Sequence, residues 1–304
     1  MPTGEPVAPG ASPRGDLQSA CLRLLRFWCD EGCLLLPAHD QPLIAGILHP
    51  QALQSLFVPQ ARSFVYLQPV RRPLDGRHGN QPYRLARHLQ VVALLRPAPE
   101  NLLHGFLASL RRLGIALEHH DLRFTEGRWS LPAIGAWGLG WNARLNGVGV
   151  ARVTLIQEAA GRHPQPIAAE IAYGLERLVA CVTSVRSAYD VAWSAGGPSY
   201  GALRRADEEA LSRHAFDVAD PEQLRARLAH DASEARMCLE AGVPTGALAA
   251  AVHSLYLLDL LAARRALGAD ERAAVEARIA TTIRAVADAV AGSAQATPEE
   301  VADG

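Results

Sequence analysis

Tyr66-Leu67-Gln68-Pro69-Val70-Arg71-Arg72-Pro73-Leu74-Asp75-Gly76-Arg77, followed by the apolar run from Leu89 to Leu95, is the stretch on which the fold turns. Phe64 to Gln68 and Gln90 to Leu95 read as short buried strands. Between them lie five Arg, two Gly and three Pro. The pattern predicts a hairpin with a long basic loop. Loops longer than about 15 residues without structure of their own are uncommon in compact domains and are usually functional or disordered. The prolines and glycines give this one a shaped course.

On the N-terminal side, Leu17 to Asp30 is expected to be a helix, because Leu17, Cys21, Leu24, Leu25 and Trp28 recur at helical spacing. Gly32 ends it, and Cys33-Leu-Leu-Leu36 begins a strand. On the C-terminal side, Glu100 to Arg112 gives an amphipathic helix closed by Gly114. Leu122 to Ile156 reads as short strands separated by glycine, which suits an antiparallel sheet. Glu170 to Val185 reads as helix, with Ile171, Leu175, Leu178, Val179 and Val182 on its apolar face. After a loop at Gly196 to Gly201 the chain is helical. Asp220-Pro-Glu-Gln223 is a capping box with proline at the first helical position. Leu248, Val252, Leu255 and Leu258 face one way on the next helix, and Glu271 to Val290 forms the last. The expected class is α+β: a mainly antiparallel sheet flanked by helices over residues 16–217, then a helical domain over 218–292 able to pack on itself. Residues 1–15 and 293–304 read as a disordered leader and tail.

Composition narrows the class without naming it. A chain of 304 residues, 49% hydrophobic, can build a sizeable core. The formal charge is -1, and all 30 basic residues are arginine, for which codon bias is a sufficient explanation. That balance offers no broad attraction for nucleic acid, whose binding rests on accumulated cationic contacts. If nucleic acid is handled, a partner supplies most of the grip. Five scattered cysteines (Cys21, Cys29, Cys33, Cys181, Cys238) suit a reducing, cytoplasmic setting. Cys29 and Cys33 share a helix face but lack two further zinc ligands, and His119-His120-Asp121 reads as a solvated turn, so no metal site is expected from protein ligands. Met1 to Arg14 has no apolar segment of a signal peptide. Ala241 to Leu258 runs eighteen residues without Asp, Glu or Arg, but Gly242, Pro244, Gly246, His253 and Ser254 interrupt it. It is expected to be a buried helix and not a membrane span.

The sequence resembles the alpha, catalytic subunit of bacterial heterotetrameric glycyl-tRNA synthetase, a class II aminoacyl-tRNA synthetase. The resemblance is carried by Gln68-Pro-Val-Arg-Arg-Pro-Leu-Asp-Gly-Arg77 as the motif 2 hairpin and by Tyr173-Gly-Leu-Glu-Arg-Leu178 as motif 3. Gly135-Ala-Trp-Gly-Leu-Gly-Trp141 and Leu145-Asn-Gly147 match the middle of the family, with further matches at Asp121, Arg123, Phe124, Glu126, Trp129, Tyr189-Asp190, Trp193 and Ser194. It runs from about Leu17 to Val290. It implies a class II synthetase-like catalytic domain and a homodimer paired through the first helix and strand.

The chemistry implied is amino-acid activation, in which a carboxylate attacks the α phosphorus of ATP. The nucleophile is already ionised, so the site must supply alignment and charge neutralisation. Arginine suits this role because its planar fork pairs phosphate oxygens and stays charged. On matching positions, Arg71 or Arg72 would hold the α phosphate and the attacking carboxylate. Arg77 and Arg84 would approach the outer phosphates, and Arg177 would sit over the adenine or the γ phosphate. Gln90 and Val91 fall where the family contacts the nucleotide. Gln68, Trp137, Gly138, Gly140, Asn142, Arg152, Thr154 and Gln157 would line the substrate pocket. ATP and Mg2+ are the implied cofactors. The residues alone leave alternatives: an Arg-Arg pair in a loop is ordinarily solvated, and glycines between tryptophans can equally mark a tight sheet crossing.

Departures from the family gather where it faces substrate. Arg87 and Val91 replace a His and an adenine-stacking Phe, and Val92 replaces a Gln. Asn142 stands for a Glu, and Gly149, Ala151 and Arg152 stand for Glu, Thr and Gln. Arg152 would repel a free ammonium and attract an anion. In the last helices, Tyr256-Leu-Leu-Asp-Leu-Leu261 lacks a family Asn and Arg. The pattern is that of a paralogue with altered glycine specificity. Three readings follow: a ligase that activates a related carboxylate and passes it to an amine, carrier or tRNA; a genuine glycine-tRNA ligase alpha subunit needing a beta subunit; or a non-catalytic binding or regulatory protein.

Overall fold

The computed structural model describes residues 15–75, 77–78 and 81–296. Most of the expected leader, Gly76 of the basic loop and residues 297–304 of the expected tail lie outside them.

The first helix, α1, spans Leu17–Asp30, with Asp16 accepting a capping hydrogen bond from the Ser19 amide at 2.8 Å. A two-residue strand β1 (Leu34–Leu35) and a one-turn-and-a-half helix α2 (Pro50–Ser55) lead to the hairpin. Its strands are β2 (Phe64–Arg71) and β3 (Arg87–Leu95), paired antiparallel from Phe64 with Leu94 to Arg71 with Arg87. The long basic loop therefore runs from Arg72 to Ala86. Helix α3 (Leu102–Arg112) follows, and Gly114 just beyond it takes a left-handed φ of 87°.

The middle of the chain corrects two expectations. Residues 122–158 form three long strands, β4 (Leu122–Leu131), β5 (Ala136–Leu145) and β6 (Val148–Glu158), with glycines inside them. At Gly138 and Gly140 the reason is steric: a Cβ would sit 2.5 Å from Leu155 O and 2.0 Å from Val153 O. Only glycine lets β6 approach β5 so closely. Second, Ala168–Gly174 is strand β7, and the helix α4 begins only at Leu175, ending at Thr183. Ile171 thus belongs to the sheet. Strand β7 lies between β3 and β6 with both faces covered, so its apolar run lacks the alternation that marks a half-exposed strand.

The seven strands lie in the order β1-β2-β3-β7-β6-β5-β4, antiparallel except for the β1–β2 pair. One face packs on α1, α3 and α4 through Leu24, Trp28, Phe106, Val65, Tyr173 and Leu178. Helices α5 (Tyr200–Arg213), α6 (Pro221–Glu240), α7 (Pro244–Ala263) and α8 (Ala269–Ala296) complete the described chain. Asp220 caps α6 through the amides of Glu222 and Gln223, with Pro221 at the first position. Helices α6 to α8 pack on one another and share one core with the second sheet face, joining Leu248, Leu255 and Ile283 to Tyr66, Val92, Leu94, Ile134 and Ile156. Helix α7 is long and apolar enough to cross a membrane; most of it is buried among its neighbours.

Candidate active site

Side chains alternate across a strand and directly paired residues share a face. The pairs Gln68 with Gln90, Gln90 with Gly174, Asn142 with Arg152, Gly140 with Thr154, Gly138 with Ile156 and Thr154 with Glu170 therefore gather one set of residues beneath α7. Of the expected pocket, Gln68, Gly138, Gly140, Asn142, Arg152 and Thr154 stand together there. Val91 does not. It pairs with Leu67 and Tyr173 on the opposite face and is fully buried in the core with Val65 and Trp28. The expectation that it covers adenine is corrected: an odd residue number on β3 sends its side chain away from Gln90.

The centre of this face carries a carboxylate that the sequence reading placed at a helix start. Glu170 on β7 is buried, and no hydrogen bond reaches its carboxylate among the described residues. Burial pushes its pKa up to about 7, while the Arg152 and Arg72 guanidiniums pull it down. Across from it, the buried Thr154 hydroxyl oxygen has no hydrogen-bond partner, and its methyl leans over Gly138. Arg152, at the exposed rim, donates to Asn142 Oδ1 at 3.0 Å. From above, Asp259 of α7 meets Arg272 of α8 at 3.5 Å. Burial raises the Asp259 pKa, and Arg272 and Arg72 oppose it. The helices and the base of the hairpin are thus coupled by charge, Asp259 to Arg72, although the family Asn and Arg are missing.

The adjacent arginines of the loop part company. Arg72 lies with Glu170, Asp259, Asp75 and Arg177, each of which feels its charge. Arg177, at the start of α4, is half-buried, and its Nε donates to Tyr83 O at 3.0 Å. Burial lowers its pKa; Asp75 and Glu176 support the charge, and Arg72 and Arg84 oppose it. Arg72, Arg84 and Arg177 are thus one cationic group around Asp75. Arg77 is elsewhere, paired with Asp217 at 2.9 and 3.0 Å and lying 5.1 Å from the centre of the Phe216 ring. Arg71 lies beside Arg87 at the hairpin base, where both feel Tyr256 of α7.

Groups that drew no attention in the sequence hold this loop. Buried His88 stands between Asp75 (Nε2 to Oδ2, 3.3 Å) and Glu176 (Nδ1 to Oε2, 3.7 Å). Glu176 also accepts from the Leu89 amide at 2.7 Å. Glu208 of α5 accepts from the amides of Ala86 and Arg87 at 2.6 and 3.1 Å. Nothing in the local pattern around Glu208 announces this, because its partners lie more than a hundred residues away. His88, an imidazole in an otherwise apolar strand, was a readable signal.

Four expected site residues have structural partners. Gln68 accepts from His39 N at 2.8 Å and donates to His39 O and Pro69 O. Gln90 accepts from Gly46 N at 3.0 Å. Trp137 donates to Glu158 at 3.1 Å, with Arg128 4.5 Å from its ring centre. Gln157 falls in the register shift opposite Trp137 and Gly138, and its amide reaches only Leu155 O, at 3.5 Å.

Comparison with known proteins adds a family. The family model described as glycyl-tRNA synthetase alpha subunit matches residues 17–295. Among solved structures, the chain is similar to a pyrrolysyl-tRNA synthetase from Desulfitobacterium hafniense, with a TM-score of 0.42 and 11% identity over 63% of this chain and 79% of that one. A second structure of pyrrolysyl-tRNA synthetase from the same organism gives a TM-score of 0.41 and 13% identity over 62% and 77%.

Proposed function

Because the chain belongs to the glycyl-tRNA synthetase alpha-subunit family, we propose that it activates an amino acid or related carboxylate as an acyl-adenylate on the sheet face beneath α7. The observation that carries this reading is the buried Thr154 hydroxyl, which has no hydrogen-bond partner, next to the Glu170 carboxylate and the cationic group Arg72, Arg84 and Arg177. A buried polar atom left unpaired costs roughly 1–3 kcal/mol. A ligand offering a hydrogen-bond partner to the Thr154 hydroxyl would recover that cost.

In the proposed reaction the substrate carboxylate attacks the α phosphorus of ATP, the bond to the bridging oxygen breaks, and pyrophosphate leaves. No proton moves. Arg72 is the residue of its pair that faces Glu170, and it holds the α phosphate and the attacking carboxylate. Arg84 and Arg177 meet the outer phosphates, whose developing charge they neutralise. Among the described residues no group of three or more His, Cys, Asp or Glu could hold a metal ion. Mg2+ carried by the phosphates of ATP would add to the charge neutralisation that Arg72, Arg84 and Arg177 supply, since it keeps its waters and takes few protein carboxylates.

Glu170 bears on the choice of substrate. It restores a carboxylate to a region where Asn142 and Gly149 replace two others, so a free ammonium has a partner at the centre of the face. Arg152 at the rim favours an anionic or N-blocked acid. The alternative in which the chain is a genuine glycine-tRNA ligase alpha subunit draws on Glu170 and needs a beta subunit that brings tRNA. Leu22, Leu34 and Leu35, each exposed on α1 or β1, support pairing of two copies. ATP/pyrophosphate exchange across a panel of acids tests the reading.

A further inference from the structure

Strand β4 closes one edge of the sheet, and among the described residues no strand or isolated bridge pairs with its outer side. Arg123, Thr125, Glu126, Gly127 and Arg128 are all exposed along it. An open edge presents a row of unpaired backbone donors and acceptors, and proteins that keep such an edge free commonly arm it with charges that repel a second copy. Strand β4 carries both signs instead. Glu126 and Arg128 stand on the same face of the strand, with Gly127 between them. Among the described residues neither makes a hydrogen bond or an ion pair, and Arg128 is steadied only by the Trp137 ring, whose centre lies 4.5 Å away.

We propose that β4 pairs antiparallel with β4 of a second copy about a two-fold axis at Gly127, joining two seven-stranded sheets edge to edge. A two-fold that pairs identical edge strands stands perpendicular to the sheet and keeps each face on its own side, so the numbers of directly opposed residues add to an even sum. Centred on Gly127, Glu126 faces the partner's Arg128 and Arg128 faces the partner's Glu126. Opposite charges directly across a strand pair are stabilising and like charges are destabilising. The neighbouring registers lose this match. Centred on Glu126, carboxylate meets carboxylate; centred on Arg128, guanidinium meets guanidinium; centred on Thr125, neither charge meets its opposite. At the Gly127 axis itself two glycines meet, with no side chains to collide. The exposed Leu34 and Leu35 of β1 lie at the opposite edge of the sheet, so this contact is distinct from pairing through α1 and β1, and one copy can form both.

Sedimentation velocity over a concentration series tests the pairing on the full chain, as wild type, Glu126→Arg, Arg128→Glu, the double variant, and an equimolar mixture of the two single variants. Each single variant sets like charges opposite one another on both sides of the axis. The account expects each to lose one doubling of mass that wild type shows, with the dissociation constant of that step raised about tenfold or more, whether or not copies also pair through α1 and β1. The double variant restores the assembly. So does the mixture, because a copy with arginine at both positions then meets a copy with glutamate at both, and this recovery shows that both single variants are folded. Equal masses for wild type and both single variants at every concentration overturn the proposal, including the case in which the edge takes an extended peptide of another protein. A loss that neither the double variant nor the mixture reverses overturns it as well.

Discussion

Thr154 on β6 and Glu170 on β7 are directly paired across the sheet; the Thr154 hydroxyl is buried without a hydrogen-bond partner, and no hydrogen bond joins it to the largely buried Glu170 side chain. A buried hydroxyl left unsatisfied and a carboxylate pressed by burial at the centre of a sheet are an expense in stability, and they mark the place where a ligand is expected.

The first prediction concerns that expense. The folded state raises the Glu170 pKa from 4.5 to about 7, so it binds the proton more tightly than the unfolded chain does. Stability from this group is full below pH 4.5 and falls as pH rises towards 7. Replacing it by glutamine removes that slope. Glu170→Gln should be more stable than wild type at pH 8, by on the order of 3 kcal/mol, and should lose exchange activity. Urea denaturation at pH 5 and pH 8 provides the check; equal slopes in both proteins would mean the carboxylate is solvated.

Val91 yields a prediction opposite to the one its family position suggests. It has no exposed surface, so Val91→Phe forces extra volume into the core and should cost about 1–3 kcal/mol without tightening ATP binding. Chemical denaturation and calorimetry measure the two effects. Tighter binding at unchanged stability would return Val91 to the nucleotide.

The loop arginines should divide by their partners. Arg177→Ala removes a cation from the group around Asp75 and should weaken ATP binding more than about tenfold. Arg77 is held by Asp217 in an exposed pair, the kind that contributes little. Arg77→Ala should leave ATP affinity within about threefold. Titration of both variants decides it, and equal losses would contradict the division.

His88 gives a pH signature of the loop anchor. Burial alone lowers its pKa, but Asp75 and Glu176 outweigh this and the net shift is upward. A raised histidine contributes stability that is full below its unfolded value near 6.5 and is lost as pH rises through the folded value. His88→Gln should therefore be more destabilising at pH 6 than at pH 9. A deficit independent of pH would show that packing alone is lost.

Elements with one apolar stripe and a clear cap, such as α1 and α6, were legible in the sequence, as was the hairpin with its basic loop. Strand β7 was not, because a strand covered on both faces has no period of two to display. The glycines of β5 read as boundaries when their cause was the approach of the β6 backbone. At the site, residue types were legible and directions were not. Arg71 and Arg72 are equivalent in a loop motif, and only the fold puts one beside Arg87 and the other near Glu170. Glu170 itself was hidden by its assignment to a helix.

ATP/pyrophosphate exchange on the purified chain, with glycine, the other amino acids and N-modified or non-amino acids, addresses the central claim most directly. The account predicts exchange with at least one acid and its loss in Arg72→Ala and Glu170→Gln. Silence across the panel with the purified chain, and again with any beta subunit supplied, would contradict it.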